Sequence, residues 1–154
     1  MLNTPVSYTI VPANLKDLGA LREIEQICFG SDAWPMLDLI SILTFAGIVR
    51  LKAVVYGKMA GFVGGDPHRD DGIGWITTIC VRPEYRQMGI GSALLDTCER
   101  QMAQPAVRLS VKVTNANAIR LYQQKGYRQV DLWKRYYQDG EDALVLEKRL
   151  IGGS

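Results

Sequence analysis

The sequence predicts an α/β (α+β) fold in which helices flank a central mixed, mostly antiparallel sheet. Apolar residues recur every two positions in several short segments and every three or four positions in four longer ones. Some predicted strands are joined by a tight turn, which pairs antiparallel strands, and others are separated by a helix. The 154 residues, 47% of them hydrophobic, are enough for one domain with one core. A single domain over residues 1–154 is therefore expected.

The chain is predicted to begin with a strand and two helices. Residues 7–11 alternate as a strand, and residues 15–28 repeat apolar side chains on one helical face. Trp34-Pro35 predicts a loop before a second apolar helix, which ends near residue 45.

Three strands are predicted next. Residues 49–56 and 58–64 form a predicted hairpin that turns at Gly57-Lys58. Residues 72–81 form a strand after a polar loop, 66–71, which contains the only histidine; that histidine is predicted to be a surface residue.

The remaining elements again alternate between helix and strand. Apolar residues recur every four positions from Ile90 to Met102, which predicts a helix with one side on the sheet, and Pro105 ends it. The later predicted elements are a strand at 107–113, a helix at 115–125 capped by Gly126, strands at 128–137 and 143–150, and a fraying tail at 151–154.

Charge, apolar stretches and cysteine spacing argue against several classes of partner and site. The net charge is +2 with no long run of either sign, which argues against nucleic acid as the main partner. The beginning lacks a signal-peptide pattern and no apolar stretch could span a bilayer, so a cytoplasmic protein with no membrane partner is expected. Cys28, Cys80 and Cys98 are odd in number and lack metal-ligand spacing. They are expected to be small buried residues, with no metal site.

Residues 79–92 join a strand to a helix through a glycine-bearing turn. The first turn of a helix offers unpaired N–H groups and partial positive charge to an anion. Gly89 and Gly91 let ligand oxygens approach the main chain, and Arg86 adds a cation. Neither the P-loop nor the dinucleotide fingerprint fits. The segment therefore predicts a site for a phosphorylated ligand.

Two motifs resemble one known family. Arg86-x-x-Gly89-x-Gly91 resembles the pyrophosphate-binding signature of the GNAT superfamily of acyl-CoA-dependent N-acetyltransferases, and Asn115 to Tyr127 resembles its later helical block. The resemblance implies the GNAT fold, with splayed central strands that bind acetyl-CoA as cosubstrate. The coenzyme-binding residues it implies are Ile79, Cys80, Val81, Arg86, Gln87, Met88, Gly89, Ile90, Gly91, Ser92, Asn115 and Tyr122.

The resemblance also implies catalytic groups. Tyr122 matches the tyrosine that protonates the coenzyme A sulfur; the alternative is a core aromatic residue with a satisfied hydroxyl. A backbone N–H near Cys80 or Val81 would polarise the thioester carbonyl. Cys80 as a covalent nucleophile is the less favoured alternative.

The general base is where the sequence departs from the family. Thr77 and Ser110 occupy the usual base positions, and neither can serve, except that Ser110 could hold a water. Asp32, in the loop between the first two helices, is the remaining candidate catalytic acid group. Its alternative role is a solvated or helix-capping acid, so the base stays open.

The acceptor is suggested by a third segment. Residues 134–146 are similar to the Tyr-Tyr-x-x-Gly-Glu-Asp-Ala segment of protein N-terminal acetyltransferases, including the bacterial ribosomal-protein-alanine enzymes. This implies that Tyr136 and Tyr137 bind the acceptor peptide, together with Phe29 and Trp34. These two lie in residues 29–35, which take the place of that group's acceptor loop and which we call the acceptor loop. The Trp-Pro order there differs from that group's Pro-Trp, and a plain hairpin is the alternative.

Proton affinity favours the same acceptor. A lysine amine has a pKa of about 10.4 and a peptide α-amine one of about 7.7 to 8.0, so a site without a strong base suits the α-amine. The expected function is acetylation of a protein or peptide N-terminus, with a ribosomal protein as a candidate acceptor. The alternatives are a GNAT enzyme acting on a small amine and a non-catalytic acyl-CoA sensor. The oligomeric state stays open.

Overall fold

The computed structural model describes residues 6–68 and 71–150, without the side chain of His68. The expectations for the histidine side chain and for the tail at 151–154 lie outside this part. The described helices and strands are β1 Thr9–Pro12, α1 Leu18–Phe29, α2 Met36–Thr44, β2 Val49–Val55, β3 Lys58–His68, β4 Ile73–Val81, α3 Ile90–Met102, β5 Ala106–Lys112, α4 Ala116–Gln124, β6 Arg128–Trp133 and β7 Ala143–Arg149.

The described strands form one seven-stranded sheet in the order β1-β2-β3-β4-β5-β7-β6. Its neighbours pair antiparallel except β4 and β5, which are parallel. The predicted mixed, mostly antiparallel sheet with flanking helices is confirmed.

The parallel pair separates along its length. β4 and β5 pair only from Ile73 opposite Ala106 to Trp75 opposite Arg108. Beyond this point the two strands diverge, which confirms the predicted splay. We call the opening between β4 residues 76–81 and the end of β5 the β4–β5 cleft.

Each face of the sheet carries its own apolar core. One core joins α3 to the sheet through fully buried side chains such as Leu94 and Leu95. The other joins α1 and α2 to it through Leu21, Ile24 and Leu39. Burial of this apolar surface fixes the helices on both faces. Within the described residues, no helix is long and apolar enough to cross a membrane.

Two predicted boundaries on the hairpin side are wrong. The turn lies at Tyr56-Gly57, both with positive φ (49° and 76°), because this backbone matches the twist of a two-residue hairpin. β3 continues to His68, since its backbone stays paired with β4 through the polar stretch that the sequence assigned to a loop.

The strand predicted to reach Tyr137 ends at Trp133. The chain turns at Arg135, whose φ is +51° and whose N–H donates to the Asp142 carboxylate (2.9 Å). Tyr136 and Tyr137 therefore lie in the loop between β6 and β7 rather than on a strand.

Candidate active site

The turn before α3 presents backbone donors. Gly89 is the N-cap, with φ +82°, and the first helical hydrogen bond runs from the Ala93 N–H to the Gly89 carbonyl (3.0 Å). The N–H groups of residues 90–92 precede that bond and are free of helical partners by geometry. The Ile90 side chain is buried, so this residue can offer a ligand only its backbone. Free N–H donors at a helix N-terminus favour an anion over a cation.

Glycine is favoured at residues 89 and 91 of the turn for different reasons. Gly89 is needed for its left-handed backbone. A Cβ at Gly91 would stand 3.6 Å from the Val81 side chain and 3.7 Å from that of Leu121, which is ordinary contact. Packing within the protein thus does not require glycine at residue 91, whereas close approach of a ligand to the main chain would.

Arg86 is fixed beside this turn. Its Nε donates to the Val81 carbonyl (3.2 Å), at the open edge of β4 where the strand ends. The guanidinium therefore lies at the open edge of β4, where its Nη2 is also 3.8 Å from the Cys28 sulfur. A ligand in the cleft would meet a cation and a row of N–H donors at this end.

Tyr122 is buried on α4, with 7% of its surface exposed, and its ring meets Tyr127 edge to face at 5.9 Å. Burial, with smaller effects from Cys80 and Tyr137, raises the pKa of Tyr122 above its ordinary value of 10. The hydroxyl therefore stays protonated at neutral pH and can act as an acid. Asn115 caps this helix by accepting from the Ala118 N–H (3.2 Å).

Glu25, a fully buried carboxylate on α1, is not among the residues that the sequence predicts for the site. It accepts from the Thr78 hydroxyl (2.6 Å) and the Trp34 N–H (3.2 Å), and lies 3.9 Å from the Cys80 thiol. Burial raises its pKa above 4.5, against the effect of these hydrogen bonds. Its spacing of four from Leu21, on the apolar face of α1, was the signal that it points inward. Glu25 ties α1 to the acceptor loop and to β4.

Trp34 crosses from the acceptor loop to the cleft. Its indole Nε1 donates to the Thr77 carbonyl (3.3 Å). Thr77 is the extra residue of a β-bulge in β4, and its Oγ1 is the one buried side-chain polar atom without a hydrogen-bond partner among the described residues. Phe29, also predicted to bind the acceptor, packs partly buried against the core beneath α1. The loop is thus anchored over the bulge.

Lys112 joins the two loops that flank the cleft. Its Nζ lies 2.7 Å from a carboxylate oxygen of Asp32 and 2.7 Å from one of Asp139, and 5.2 Å from the centre of the Tyr137 ring. The two carboxylates raise the pKa of Lys112, and Lys112 lowers that of Asp139. Asp32, predicted as a base, is therefore held in an ion pair that connects the acceptor loop to β5.

Aromatic side chains form a continuous row from β4 to the loop between β6 and β7. Trp75 stacks on Trp133 (5.8 Å, 20°), Trp133 contacts Tyr136 (5.1 Å), and Tyr136 meets Tyr137 edge to face (5.1 Å). The Tyr137 hydroxyl is hydrogen-bonded to that of Ser110. The structure brings the predicted tyrosines to the end of β5, and adds two tryptophans that the sequence analysis did not place in the site.

Comparison with known proteins gives one consistent family. Residues 18–127 match the Acetyltransferase (GNAT) family. The chain is 39% identical over 155 residues to an N-alpha-acetyltransferase of Sulfurisphaera tokodaii, covering 90% of this chain and 91% of that protein. It is 33% identical over 149 residues to the [ribosomal protein bS18]-alanine N-acetyltransferase of Escherichia coli K12, covering 90% and 95%. The crystal structure of Arabidopsis thaliana NAA60 in complex with acetyl-CoA has a TM-score of 0.84 at 21% identity, covering 95% of this chain and all of that one (100%).

Proposed function

The chain belongs to the acetyltransferase (GNAT) family, and from this premise we propose that it transfers the acetyl group of acetyl-CoA to the N-terminal α-amine of a protein or peptide. The observation that carries the proposal is the β4–β5 cleft. Its β4 edge is bounded by Arg86 at Val81 and by Trp34 at Thr77. A coenzyme site and an acceptor site would thus lie at opposite ends of one open strand edge.

The coenzyme fits the residues at the first end. Its pyrophosphate would lie at the N–H groups of residues 90–92 and the Arg86 guanidinium. The Val81 and Thr77 carbonyls already accept from Arg86 and Trp34, but the stretch of β4 between them has no β5 partner, so its backbone groups are open to the amides of the pantetheine arm. Bound acetyl-CoA supplies the activated acyl group.

The acceptor must arrive with an amine that is already partly neutral. Thr77 and Ser110 carry only hydroxyls, Asp32 is ion-paired, and Glu25 is fully buried. An α-amine, with a pKa of about 8, needs little help at neutral pH, whereas deprotonating a lysine amine costs about 3.4 kcal/mol more than deprotonating the α-amine. Tyr122 would protonate the departing sulfur. The names of the two curated relatives support the same acceptor class.

A panel of acceptors tests the proposal. Tetrapeptides beginning with alanine, serine or methionine would be compared with a polyamine, free amino acids and an aminoglycoside, by coenzyme A release. Matched peptides with a blocked N-terminus and no lysine are the controls. We expect kcat/KM for the peptides with a free N-terminus to be at least a hundredfold higher than for the small amines. Preference for a small amine would contradict the proposed acceptor, and coenzyme A binding without product on any amine would indicate a sensor.

A further inference from the structure

A pair of thiols lies at the coenzyme end of the cleft, and the proposed chemistry does not use it. The Cys28 thiol donates to the Val81 carbonyl (3.4 Å), the same oxygen that accepts from Arg86, and the Arg86 Nη2 lies 3.8 Å from the Cys28 sulfur. The Cys28 thiol is also hydrogen-bonded to that of Cys80. Both thiols are free. One sulfur thus contacts a guanidinium, a strand-edge carbonyl and a second sulfur.

The two thiols differ in accessibility and acidity. Cys28 is half-buried and Cys80 is buried. The hydrogen bond with Cys80, together with Arg86, lowers the pKa of Cys28 to about 7. The same contact and burial raise the pKa of Cys80. Since the thiolate is the reactive form, Cys28 is the attacking sulfur and Cys80 the sulfur that resolves its product.

We propose that Cys28 and Cys80 form a reversible thiol–disulfide site that reacts with a small-molecule disulfide such as glutathione disulfide. The Cys28 thiolate attacks one sulfur of the reagent, and one thiolate leaves. The Cys80 sulfur then attacks Cys28 in the mixed disulfide, its proton passes to the second departing thiolate, and the S–S bond between the two cysteines forms. The protein loses two electrons and two protons, and the reagent becomes two thiols.

Closing this bond would disturb the coenzyme end of the cleft. It removes the S–H donor from the Val81 carbonyl and the sulfur acceptor from Arg86. This consequence rests on the proposed function, because it assumes that acetyl-CoA binds along β4 to Arg86. The thiol chemistry itself does not. Bound acetyl-CoA would cover Val81 and slow the reaction of Cys28.

Intact-protein mass spectrometry tests the thiol site directly. Reduced protein treated with glutathione disulfide should become lighter by two hydrogens, give a Cys28–Cys80 peptide on digestion, and recover with dithiothreitol. Cys98→Ser is the matched control, since burial raises the pKa of Cys98 to about 12, and it should react like the wild type. Cys80→Ser should stop at a mixed disulfide on Cys28, and Cys28→Ser should not react. A wild-type protein that stays reduced, or a bond that includes Cys98, would overturn the proposal.

Calorimetry with acetyl-CoA separates this inference from the proposed function. We expect the disulfide form to bind at least tenfold more weakly than the reduced form. Equal affinity of the two forms would overturn the coupling to the coenzyme. A reduced protein that does not bind acetyl-CoA would contradict the proposed function, whatever the masses show.

Discussion

Glu25→Ala tests whether one buried carboxylate holds the acceptor loop on the sheet. Removal of the carboxylate leaves the buried Thr78 hydroxyl and the half-buried Trp34 N–H without their acceptor. Each orphaned donor costs about 1–3 kcal/mol. Removing a charge that is unfavourably buried offsets part of that, which leaves a net loss of about 2–4 kcal/mol. For a chain of this length the melting temperature should fall by about 5–15 °C.

Stability would be measured by thermal and urea unfolding, with two further variants as controls. Glu23→Ala, on the same helix but with a side chain 62% exposed, should change stability by no more than about 0.5 kcal/mol. Glu25→Gln can accept from Trp34 and donate to Thr78, so it should cost about 1 kcal/mol or less. Equal melting temperatures for Glu25→Ala and Glu23→Ala would refute the reasoning.

The pH dependence provides a second check on Glu25. Burial raises its folded pKa above 4.5, so the protonated form is favoured in the fold. The stability advantage of the wild type over Glu25→Gln is therefore complete only at a pH below the pKa that Glu25 has in the unfolded chain. That advantage should shrink as the pH rises through the folded pKa, and a growing advantage toward neutral pH would contradict the assigned direction.

Three further predictions concern catalysis. Tyr122→Phe should lower kcat about a hundredfold or more in initial-rate assays while the Kd for acetyl-CoA, measured by calorimetry, changes less than twofold; unchanged turnover would contradict its role as the acid. Arg86→Gln should raise that Kd roughly tenfold to a hundredfold, since a hydrogen bond to a charged group contributes about 1.5–3 kcal/mol, and unchanged affinity would move the pyrophosphate elsewhere. The rate should rise with pH through the α-amine pKa of about 8 and stay level to about pH 10, because burial keeps Tyr122 protonated; a decline that begins near pH 9 would argue against this acid.

The parts of the site that sequence could predict are local. The α3 turn and the Asn115 cap depend on residues a few positions apart, so a motif contains them. The Asp32–Lys112 ion pair joins residues 80 positions apart, and the Glu25–Thr78 hydrogen bond spans 53. Such contacts arise only when helices and sheet pack together, and one sequence carries no signal of which distant partner a charge will meet.

The element boundaries that were predicted wrongly also depend on contacts with other parts of the chain. β6 ends early because the Arg135 N–H donates to the Asp142 carboxylate, and this hydrogen bond holds the chain in a turn. β3 runs on because backbone pairing with β4 outweighs the polar composition of residues 66–68. In both cases a partner from another part of the chain decides a conformation that local propensity leaves open.

The central claim is that the acetyl group goes to an α-amine, and its position on a product tests this most directly. A peptide with a free alanine N-terminus and one internal lysine would be incubated with the protein and acetyl-CoA, and the product sequenced by tandem mass spectrometry. We predict that the acetyl group lies on the N-terminal nitrogen, and that the same peptide with a blocked N-terminus gives no product. Acetylation of the lysine in either peptide would contradict the account.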